Sequence, residues 1–235
     1  MKTTLAALIS LTVLILSAAA VFAQKEISAS DLMERLTSMA AEVPPPPRVT
    51  EAEVVELEEG DPETYIFIKE AKAHPPEPEN LGGDGVISLT RMDNGETLSA
   101  RYRRRNGAYS RKALARISGL MRCSLTGRET QIAVKLVELL DAVEDRFGGR
   151  GIVLLSGYRT PRHNGSVPGA ARRSLHMLGW AADIAVPGQT PDSVAEYATS
   201  LRAGGVGRYP DAGFTHLDAG RSRYWSVTGS RKRGR

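Results

Sequence analysis

Two stretches that alternate apolar and polar residues mark the start of a β-rich region. Residues 86–92 and 96–102 favour strands, and Asp93-Asn94-Gly95 separates them. An Asn-Gly pair between two such runs is the strongest short-range signal for a β-hairpin. The pattern therefore predicts a hairpin here, and the apolar run at residues 152–156 and the segment 213–218 predict two further strands.

Three segments repeat apolar residues every three to four positions, which predicts amphipathic helices. They span residues 110–121, 129–147 and 192–203. Ser110 can cap the first helix, a Gly-Gly pair closes the second, and Pro191 introduces the third. We expect these helices to form the scaffold rather than to carry the site.

Residues 1–23 have the composition of a Sec-type signal peptide. Lys2 supplies a positive charge, residues 5–20 form an apolar run, and small residues end the segment at Ala23. Cleavage there leaves Gln24 as the N-terminus of an exported protein of the periplasm or cell envelope, without stable membrane insertion. An uncleaved membrane anchor is the alternative, because the apolar run is close to the shortest length that spans a bilayer.

Residues 24–82 are predicted to form a proline-rich, acidic linker or peripheral arm. A run of four consecutive prolines imposes an extended conformation, and residues 51–80 hold ten acidic and two basic residues. One strand is expected within this arm, at residues 65–69. A single catalytic domain is predicted over residues 83–226, followed by a basic tail at residues 227–235.

The overall composition is that of a globular protein, with 41% hydrophobic and 25% charged residues. The net charge is +4, or +3 once Lys2 is removed with the signal peptide. This mild excess suits a protein that works beside anionic envelope polymers, and nucleic acid is not an expected partner. Cys123 is the only cysteine, so the chain cannot form an internal disulfide, and we expect Cys123 to be a small buried hydrophobic residue.

His176, Asp183 and His216 are the candidates for chemistry. The first two flank Gly179 in a segment that predicts a loop running into a short strand, and His216 lies on a predicted strand. Two imidazoles and one carboxylate suit zinc, and three protein ligands leave one position open for water, as in catalytic zinc sites. From the spacing alone, a pair of buried, hydrogen-bonded histidines stays open as the alternative.

The pattern Ser174-x-His176-x-x-Gly179-x-Ala181-x-Asp183 resembles the SxHxxGxAxD signature of a known zinc peptidase family. The family comprises D-alanyl-D-alanine and L-alanyl-D-glutamate peptidases, and it shares a fold with the hedgehog signalling domain. The sequence Ser-Gly-Tyr-Arg-Thr-Pro at 156–161 and the segment 204–218 are similar to the exported murein endopeptidase branch of that family. The resemblance extends over residues 86–225. It implies an α+β fold with a small antiparallel sheet and flanking helices.

The resemblance also implies roles for individual residues. It implies one bound zinc ion with three protein ligands: His176, Asp183 and His216. It implies that Arg159 holds a substrate carbonyl or carboxylate and the developing oxyanion, for which a charged fork is suited. Tyr158 and Ser174 are assigned to substrate binding beside it. Two alternatives stay open, because Arg159 could be a structural ion-pair partner and Ser174 could simply cap its turn.

The position of the general base departs from the family pattern. Many relatives carry Glu or His three residues before the last ligand, but this chain has Gly213 there, which cannot accept a proton. Asp218 is the first candidate, because on a strand its side chain shares a face with His216. Asp218 could instead orient His216. Asp211 and His163 are the other candidates.

Together these expectations predict a zinc metallopeptidase that cleaves amide bonds in the peptide cross-links of peptidoglycan. Two alternatives remain: a D,D- or L,D-carboxypeptidase that trims stem peptides, and a zinc-containing cell-wall binding module without turnover. A carboxypeptidase needs a closed pocket that grips a free carboxylate, whereas an endopeptidase needs a groove open at both ends. The sequence of the loop at residues 165–173 does not distinguish the two.

Overall fold

The computed structural model of the protein describes residues 61–149 and 151–228. The predicted signal peptide, most of the predicted arm and residues 229–235 of the predicted basic tail lie outside the described residues. Within the described residues, one seven-stranded sheet is flanked by helices. No helix in these ranges is long and apolar enough to cross a membrane.

The described part of the chain contains five α-helices, seven strands and two 3₁₀ turns. The helices are α1 (Pro62–Lys72), α2 (Arg111–Leu120), α3 (Val134–Arg146), α4 (Pro161–Ser166) and α5 (Pro191–Ser200). The strands are β1 (Val86–Arg91), β2 (Thr97–Arg101), β3 (Ile152–Ser156), β4 (Ala181–Ala185), β5 (Gly205–Tyr209), β6 (Phe214–Asp218) and β7 (Arg223–Ser226). The 3₁₀ turns are Leu175–Leu178 and Pro210–Ala212.

The strands follow the spatial order β2-β1-β3-β4-β6-β5-β7. The pairs β1–β3 and β5–β7 are parallel, and the other four pairs are antiparallel. The α+β class is confirmed, but the expected small antiparallel sheet is wrong, because the sheet is larger and mixed. After the β1–β2 hairpin, α2 and α3 carry the chain back across the sheet, so β3 enters beside β1 in the same direction.

The predicted hairpin and helices are present, with different boundaries for two helices. Ser110 caps α2 as predicted, and its Oγ accepts a hydrogen bond from the backbone N–H of Ala113 at 3.3 Å. Helix α3 begins at Val134 rather than at residue 129. The backbone N–H of Ile132 donates to Ser118 Oγ at 3.1 Å, and the backbone N–H of Ala133 donates to Gly179 O at 3.1 Å. Neither N–H group therefore forms a hydrogen bond within a helix. Helix α5 ends at Ser200, before the predicted residue 203.

The strand expected at residues 65–69 is wrong, because this part of the arm is the helix α1. Asp61 caps the helix, and its Oδ1 accepts a hydrogen bond from the backbone N–H of Thr64 at 2.9 Å. Pro62 then occupies the first helical turn, where its missing N–H costs no hydrogen bond. Lys69 and Lys72 lie in the last turn, where positive charge favours the helix dipole. These end signals outweigh the strand preference of the residues between them.

The hydrophobic core lies between the helices and one face of the sheet. Leu136, Leu140 and Val143 of α3 are fully buried and belong to one cluster with Ile87 and Leu89 of β1. Burying an aliphatic side chain of this size contributes about 1.5–3 kcal/mol to folding. The core therefore fixes the sheet that carries the candidate site.

Candidate metal centre

The register of the sheet aligns five residues in one row across neighbouring strands. The row is Ser156 (β3), Asp183 (β4), His216 (β6), Gly207 (β5) and Trp225 (β7). Residues paired across strands project from the same face of the sheet. Strand pairing, rather than a loop, therefore sets Asp183 beside His216.

This row lies on the face of the sheet that is turned away from the hydrophobic core. Ile184 and Leu217 follow Asp183 and His216 in the chain, and both are fully buried in the core cluster. Because successive side chains on a strand alternate between faces, Asp183 and His216 emerge on the opposite face.

His176 reaches the same point from the first 3₁₀ turn. Ser174 Oγ accepts a hydrogen bond from the backbone N–H of His176 at 3.3 Å, and Gly179 ends the turn with a φ of 73°. A Cβ at Gly179 would lie 2.7 Å from Thr130 Cγ2 and 2.8 Å from Gln131 O. Glycine is therefore required there for both conformation and space, and the turn holds His176 in place.

Three possible ligand atoms converge at this point. His216 Nδ1 lies 2.8 Å from Asp183 Oδ1, and His176 Nε2 lies 3.3 Å from the same oxygen and 3.2 Å from His216 Nδ1. Ligand atoms at about 2.0–2.2 Å from a tetrahedral metal are about 3.3 Å from one another. The three residues therefore fit one divalent metal ion that takes nitrogen and oxygen ligands.

The outer nitrogen of each imidazole has a hydrogen-bond acceptor that orients the ring. His176 Nδ1 lies 2.7 Å from Gly157 O, and His216 Nε2 lies 3.1 Å from Asp218 Oδ2. With protons on these two nitrogens, His176 Nε2 and His216 Nδ1 turn their lone pairs toward Asp183. Such outer contacts fix the tautomer and orientation of metal-binding histidines.

The charge states of the three residues suit metal binding. Burial lowers the pKa of His176, which keeps this imidazole neutral. Burial acts to raise the pKa of Asp183, but the charges and hydrogen bonds of the two histidines hold it well below its usual range. At His216, burial acts to lower the pKa, but hydrogen bonds with Asp183 and Asp218 raise it. The raised pKa favours the protonated form of His216, so protons compete with a metal for this imidazole.

Asp218 is fully buried, and both of its oxygens are hydrogen-bonded. Its Oδ1 accepts from the backbone N–H of Gly205 at 3.2 Å and of Gly220 at 2.9 Å, and Arg223 donates to both oxygens at 3.0 and 2.7 Å. Burial acts to raise the pKa of Asp218, but His216 and Arg223 lower it. Asp218 lies behind His216, so the geometry favours the orienting role that the sequence left open over proton transfer.

Arg159 is buried beside the candidate ligands. Its Nη2 donates to Asp183 Oδ2, and its Nε donates to Ser156 Oγ at 2.7 Å. The guanidinium thus holds one carboxylate oxygen of Asp183 while the other faces the histidines. This contact matches the ion-pair role left open for Arg159, and its predicted contact with substrate stays a prediction.

Ser174 and Tyr158, the other predicted substrate-binding residues, are both buried. Ser174 caps the turn that carries His176, which is the second role proposed for it from the sequence. Tyr158 is 3% exposed and belongs to the core cluster, and its backbone N–H donates to Met121 O at 2.8 Å. Neither side chain offers much surface to a substrate, and their binding roles stay predictions.

The remaining candidates for the base, Asp211 and His163, lie on two separate segments. Asp211 is exposed on the second 3₁₀ turn, which Gly213 ends with a φ of 74°. His163 lies on the short helix α4, where its Nδ1 is 3.3 Å from the Sγ of Cys123. Cys123 is buried, as the sequence predicted. Burial, followed by the positive charge of Arg159, lowers the pKa of His163.

An aromatic wall beside His216 was not predicted from the sequence. The rings of Trp225 and His216 have centroids 5.2 Å apart, and Trp225 Nε1 donates to the hydroxyl of Tyr209 at 3.0 Å. The Arg223 guanidinium lies 5.0 Å from the Trp225 ring centroid. A Cβ at Gly207 would come within 2.5 Å of the Trp225 ring, so glycine makes room for the wall. Its residues come from β5 and β7, and no spacing in the sequence indicates that these strands pair.

The fold and the site together define a class of protein. Two imidazoles and a carboxylate that converge beside one face of a sheet, with a second carboxylate behind one imidazole, are typical of metal-dependent hydrolases. The family model for the peptidoglycan L,D-endopeptidase MepK matches residues 83–225, which is more than half of the chain. The chain therefore belongs to this family of peptidases.

Individual relatives agree with the family match. The peptidoglycan L,D-endopeptidase MepK of Escherichia coli (strain K12) is 31% identical over 145 residues, which cover 60% of this chain and 79% of that protein. The protein of the same name from Shigella flexneri is also 31% identical over 145 residues, with the same coverage of 60% and 79%. The probable peptidoglycan L,D-endopeptidase MepK of Haemophilus influenzae is 30% identical over 146 residues, covering 60% of this chain and 78% of that protein. No solved structure gives a significant match.

Proposed function

We propose that this chain is an exported, zinc-dependent peptidoglycan endopeptidase that hydrolyses amide bonds in murein peptide cross-links. The observation that carries the proposal is the convergence of His176 Nε2, Asp183 Oδ1 and His216 Nδ1 within 3.3 Å of one another in a chain of this peptidase family. The names of the relatives specify an L,D bond, and we propose the same bond for this chain.

The donor set supports zinc as the metal. Two imidazole nitrogens and one carboxylate suit zinc, whereas magnesium and calcium prefer oxygen ligands alone. When bound, zinc supplies a water whose pKa is lowered to about 7 and polarises a carbonyl oxygen. With three protein ligands, the site leaves room for both water and substrate.

The surrounding residues are proposed to orient these ligands. Asp218 accepts the outer N–H of His216 and so increases the basicity of Nδ1. Arg159 holds Asp183 by one oxygen and keeps its positive charge close to the scissile carbonyl, where it stabilises developing negative charge. Asp218 thus positions His216, and Arg159 positions Asp183. Arg159 also stabilises the negative charge that develops on the scissile carbonyl.

For the proton acceptor we propose His163. Burial lowers its pKa, which keeps the ring neutral near pH 7, and its pKa also responds to the charge of Arg159. A neutral imidazole that donates through Nδ1 to Cys123 Sγ keeps Nε2 as a base. Asp211 is less suited, because it is exposed on the second 3₁₀ turn rather than buried beside the candidate ligands.

The aromatic wall of Trp225 and Tyr209 is proposed to border the substrate groove. Trp225 lies in the same row as Asp183 and His216, and its ring is half-buried. An indole held by a hydrogen bond to Tyr209 is a rigid, largely apolar surface against which a peptide can pack.

Three further parts of the proposal concern the rest of the chain. Residues 1–23 are proposed to direct export to the periplasm or cell envelope and to be removed, and N-terminal sequencing of the mature protein should then begin at Gln24. The domain at residues 83–226 is proposed to share the hedgehog-type zinc fold. Residues 24–82 are proposed to be a peripheral arm that includes α1.

Digestion of purified sacculi tests the proposed function. Muropeptides are analysed by mass spectrometry after incubation with the zinc-loaded mature protein, with the chelated protein, and with His216→Ala. The exposed His74→Ala variant is the matched control, because it removes an imidazole far from the ligands in sequence. We expect cross-linked dimers joined through L,D bonds to disappear with the zinc-loaded protein and with His74→Ala. They should persist with the chelated protein and with His216→Ala.

Other outcomes distinguish the alternative functions. Loss of a terminal D-amino acid with cross-links intact would indicate a carboxypeptidase. Unchanged muropeptides from a correctly folded, zinc-loaded protein that binds sacculi would indicate a binding module without turnover. Cleavage that persists after chelation and in His216→Ala would contradict the metal mechanism.

A further inference from the structure

A second group of possible metal ligands lies at the other end of the sheet. Asp84 precedes β1, Asp141 and Asp145 lie one turn apart on α3, and one oxygen of each lies within 4.8 Å of the others. We call these three residues the acidic trio. Strands β1 and β3 run parallel, and the histidine site lies beyond the last residue of β3, whereas Asp84 precedes the first residue of β1. The acidic trio is therefore separate from the proposed zinc site.

One oxygen of the acidic trio is buried without a hydrogen bond. Asp141 is fully buried, and its Oδ2 accepts from the Gly85 backbone N–H at 2.9 Å and from the Tyr102 hydroxyl at 2.6 Å. Its Oδ1 has no hydrogen-bond partner among the described residues. A Cβ at Gly83 would lie 2.3 Å from Oδ2 and 2.7 Å from Oδ1, so the Asp141 carboxylate packs against the loop that carries Asp84. A buried carboxylate oxygen normally has a donor or a cation, so its position indicates a missing ligand.

The charge of the acidic trio is also poorly balanced. Burial, together with the charges of Asp145 and Asp84, raises the pKa of Asp141 to about 6. Two arginines of the described part of the chain lie nearby: Arg103 Nη2 is 3.9 Å from Asp141 Oδ2, and Arg101 Nη1 donates to the backbone carbonyl of Asp84 at 3.2 Å. Arg103 pairs more closely with Glu138, another fully buried carboxylate, at 2.7 Å. One arginine is thus shared between two buried acids, and two more acids lie beside them.

We propose that the acidic trio binds one divalent cation of the calcium type. Its ligands are all carboxylate oxygens, which hard cations prefer over the nitrogen and sulfur ligands that suit zinc. Calcium accepts about six to eight oxygen ligands in a flexible geometry, whereas magnesium requires a near-ideal octahedron. Three carboxylates from a loop and a helix, with oxygens within 4.8 Å of one another, suit the ion with the more flexible coordination. Because Asp84 and Asp145 are exposed, water completes the coordination.

The cation would link the segment before β1 to α3 through shared carboxylate ligands. The Asp84 backbone N–H already donates to Asp145 Oδ2 at 2.7 Å, and Asp84 Oδ1 accepts from the Val86 N–H at 2.7 Å. The loop that joins the arm to the catalytic domain therefore meets α3 at the acidic trio. Three carboxylates in a partly exposed site correspond to a dissociation constant of about 10⁻⁴ to 10⁻³ M, as in extracellular calcium modules.

Calcium titration of the zinc-loaded full chain tests the proposal. We expect one calcium ion per chain by isothermal titration calorimetry, a rise in melting temperature, and terbium luminescence sensitised by Tyr102, whose hydroxyl contacts Asp141. Asp84→Asn and Asp145→Asn keep the hydrogen-bond acceptors and remove one charge each. Each should weaken binding at least about tenfold, because calcium affinity follows the number of charged ligands. Glu196→Gln, which removes an exposed acid from α5, should bind like the original chain.

Three results would overturn the proposal. The first is no binding up to about 10 mM calcium, ten times the weakest affinity expected. The second is unchanged binding in both Asp84→Asn and Asp145→Asn, which would assign the ion to another place. The third is loss of binding in His216→Ala, which would assign it to the histidine site.

Discussion

Asp218 and His216 face each other across a single hydrogen bond. Asp218 Oδ2 lies 3.1 Å from His216 Nε2, whereas Nδ1 of the same ring lies 2.8 Å from Asp183 Oδ1. The Asp218 carboxylate and Nδ1, the proposed metal-binding nitrogen, are thus on different sides of the imidazole. Asp218 is therefore well placed to orient His216. It is poorly placed to take a proton from a water that a metal would bind on the Nδ1 side of the ring.

The Asp218→Asn variant separates these two roles. We expect the zinc affinity to fall about 10–100-fold, because the negative charge that increases the basicity of the proposed ligand His216 is lost. At saturating zinc, kcat should stay within about tenfold of the original value. Chelator competition measures the affinity, and Asp192→Asn on α5 is the control. A fall in kcat of about 10²–10⁴-fold with full zinc occupancy would instead assign proton transfer to Asp218.

Replacing Arg159 tests whether it acts through Asp183. Arg159→Gln leaves a buried carboxylate oxygen without its cation, which we expect to lower the free energy of unfolding by about 3–5 kcal/mol and to weaken zinc binding. Arg159→Lys keeps the charge but loses the fork that also contacts Ser156. The activity of Arg159→Lys should lie between that of the original protein and that of Arg159→Gln. Unchanged stability and zinc affinity in Arg159→Gln, together with lost activity, would mean that Arg159 acts on the substrate alone.

The His163→Gln variant tests the proposed base. We expect kcat/KM to fall by about 10²–10⁴-fold with zinc content unchanged, and Asp211→Asn to have little effect. A base acts when deprotonated, so kcat/KM of the original enzyme should rise with pH through the pKa of His163, which lies below the usual 6.5. The variant should lose this acidic limb. A large fall in kcat/KM for Asp211→Asn with little change for His163→Gln would instead assign the role of general base to Asp211.

Gly207→Ala tests the aromatic wall. Its new Cβ would meet the Trp225 ring, so we expect the ring to shift and stability to fall by about 1–3 kcal/mol. If Trp225 borders the groove, KM should rise while zinc affinity stays constant. Gly165→Ala is the matched control, because a Cβ there meets no atom within 4 Å. Trp225 fluorescence, measured in a Trp180→Phe background, reports the shift, and an unchanged KM with a shifted ring would contradict the role.

The buried Asp141 carboxyl gives a pH dependence of stability. Its pKa rises from 3.8 to about 6 in the folded state, so the folded protein binds the proton more tightly than the unfolded chain does. The free energy of unfolding should therefore decrease as pH rises from about 4 to 6 without calcium, by up to about 3 kcal/mol from this residue. In Asp141→Asn, the free energy of unfolding should change less with pH over this range. Chemical denaturation at several pH values measures it, and equal slopes in both proteins would contradict the shift.

Local signals account for the parts of the fold that the sequence predicted well. The hairpin around Asn94-Gly95 follows from turn chemistry, and α2 and α5 follow from helical periodicity with start signals at Ser110 and Pro191. One error occurred where partners distant in sequence decide the outcome. Helix α3 begins late because Ile132 and Ala133 bond to Ser118 and to Gly179, and neither partner is visible in local sequence. The arm helix α1 was missed although Asp61 and Pro62 carried a start signal.

The sequence by itself determined which residues are available for chemistry and which family the chain resembles. The motif around His176 and Asp183 lies within a short segment, so its spacing is readable without a structure. The tertiary structure alone decided how the groups combine. His216 pairs with Asp183 across 33 residues of chain because β4 and β6 are neighbours in one register. Asp218 is held by Arg223 behind His216, and Asp84 meets α3, because side-chain contacts between distant segments depend on packing that no local pattern encodes.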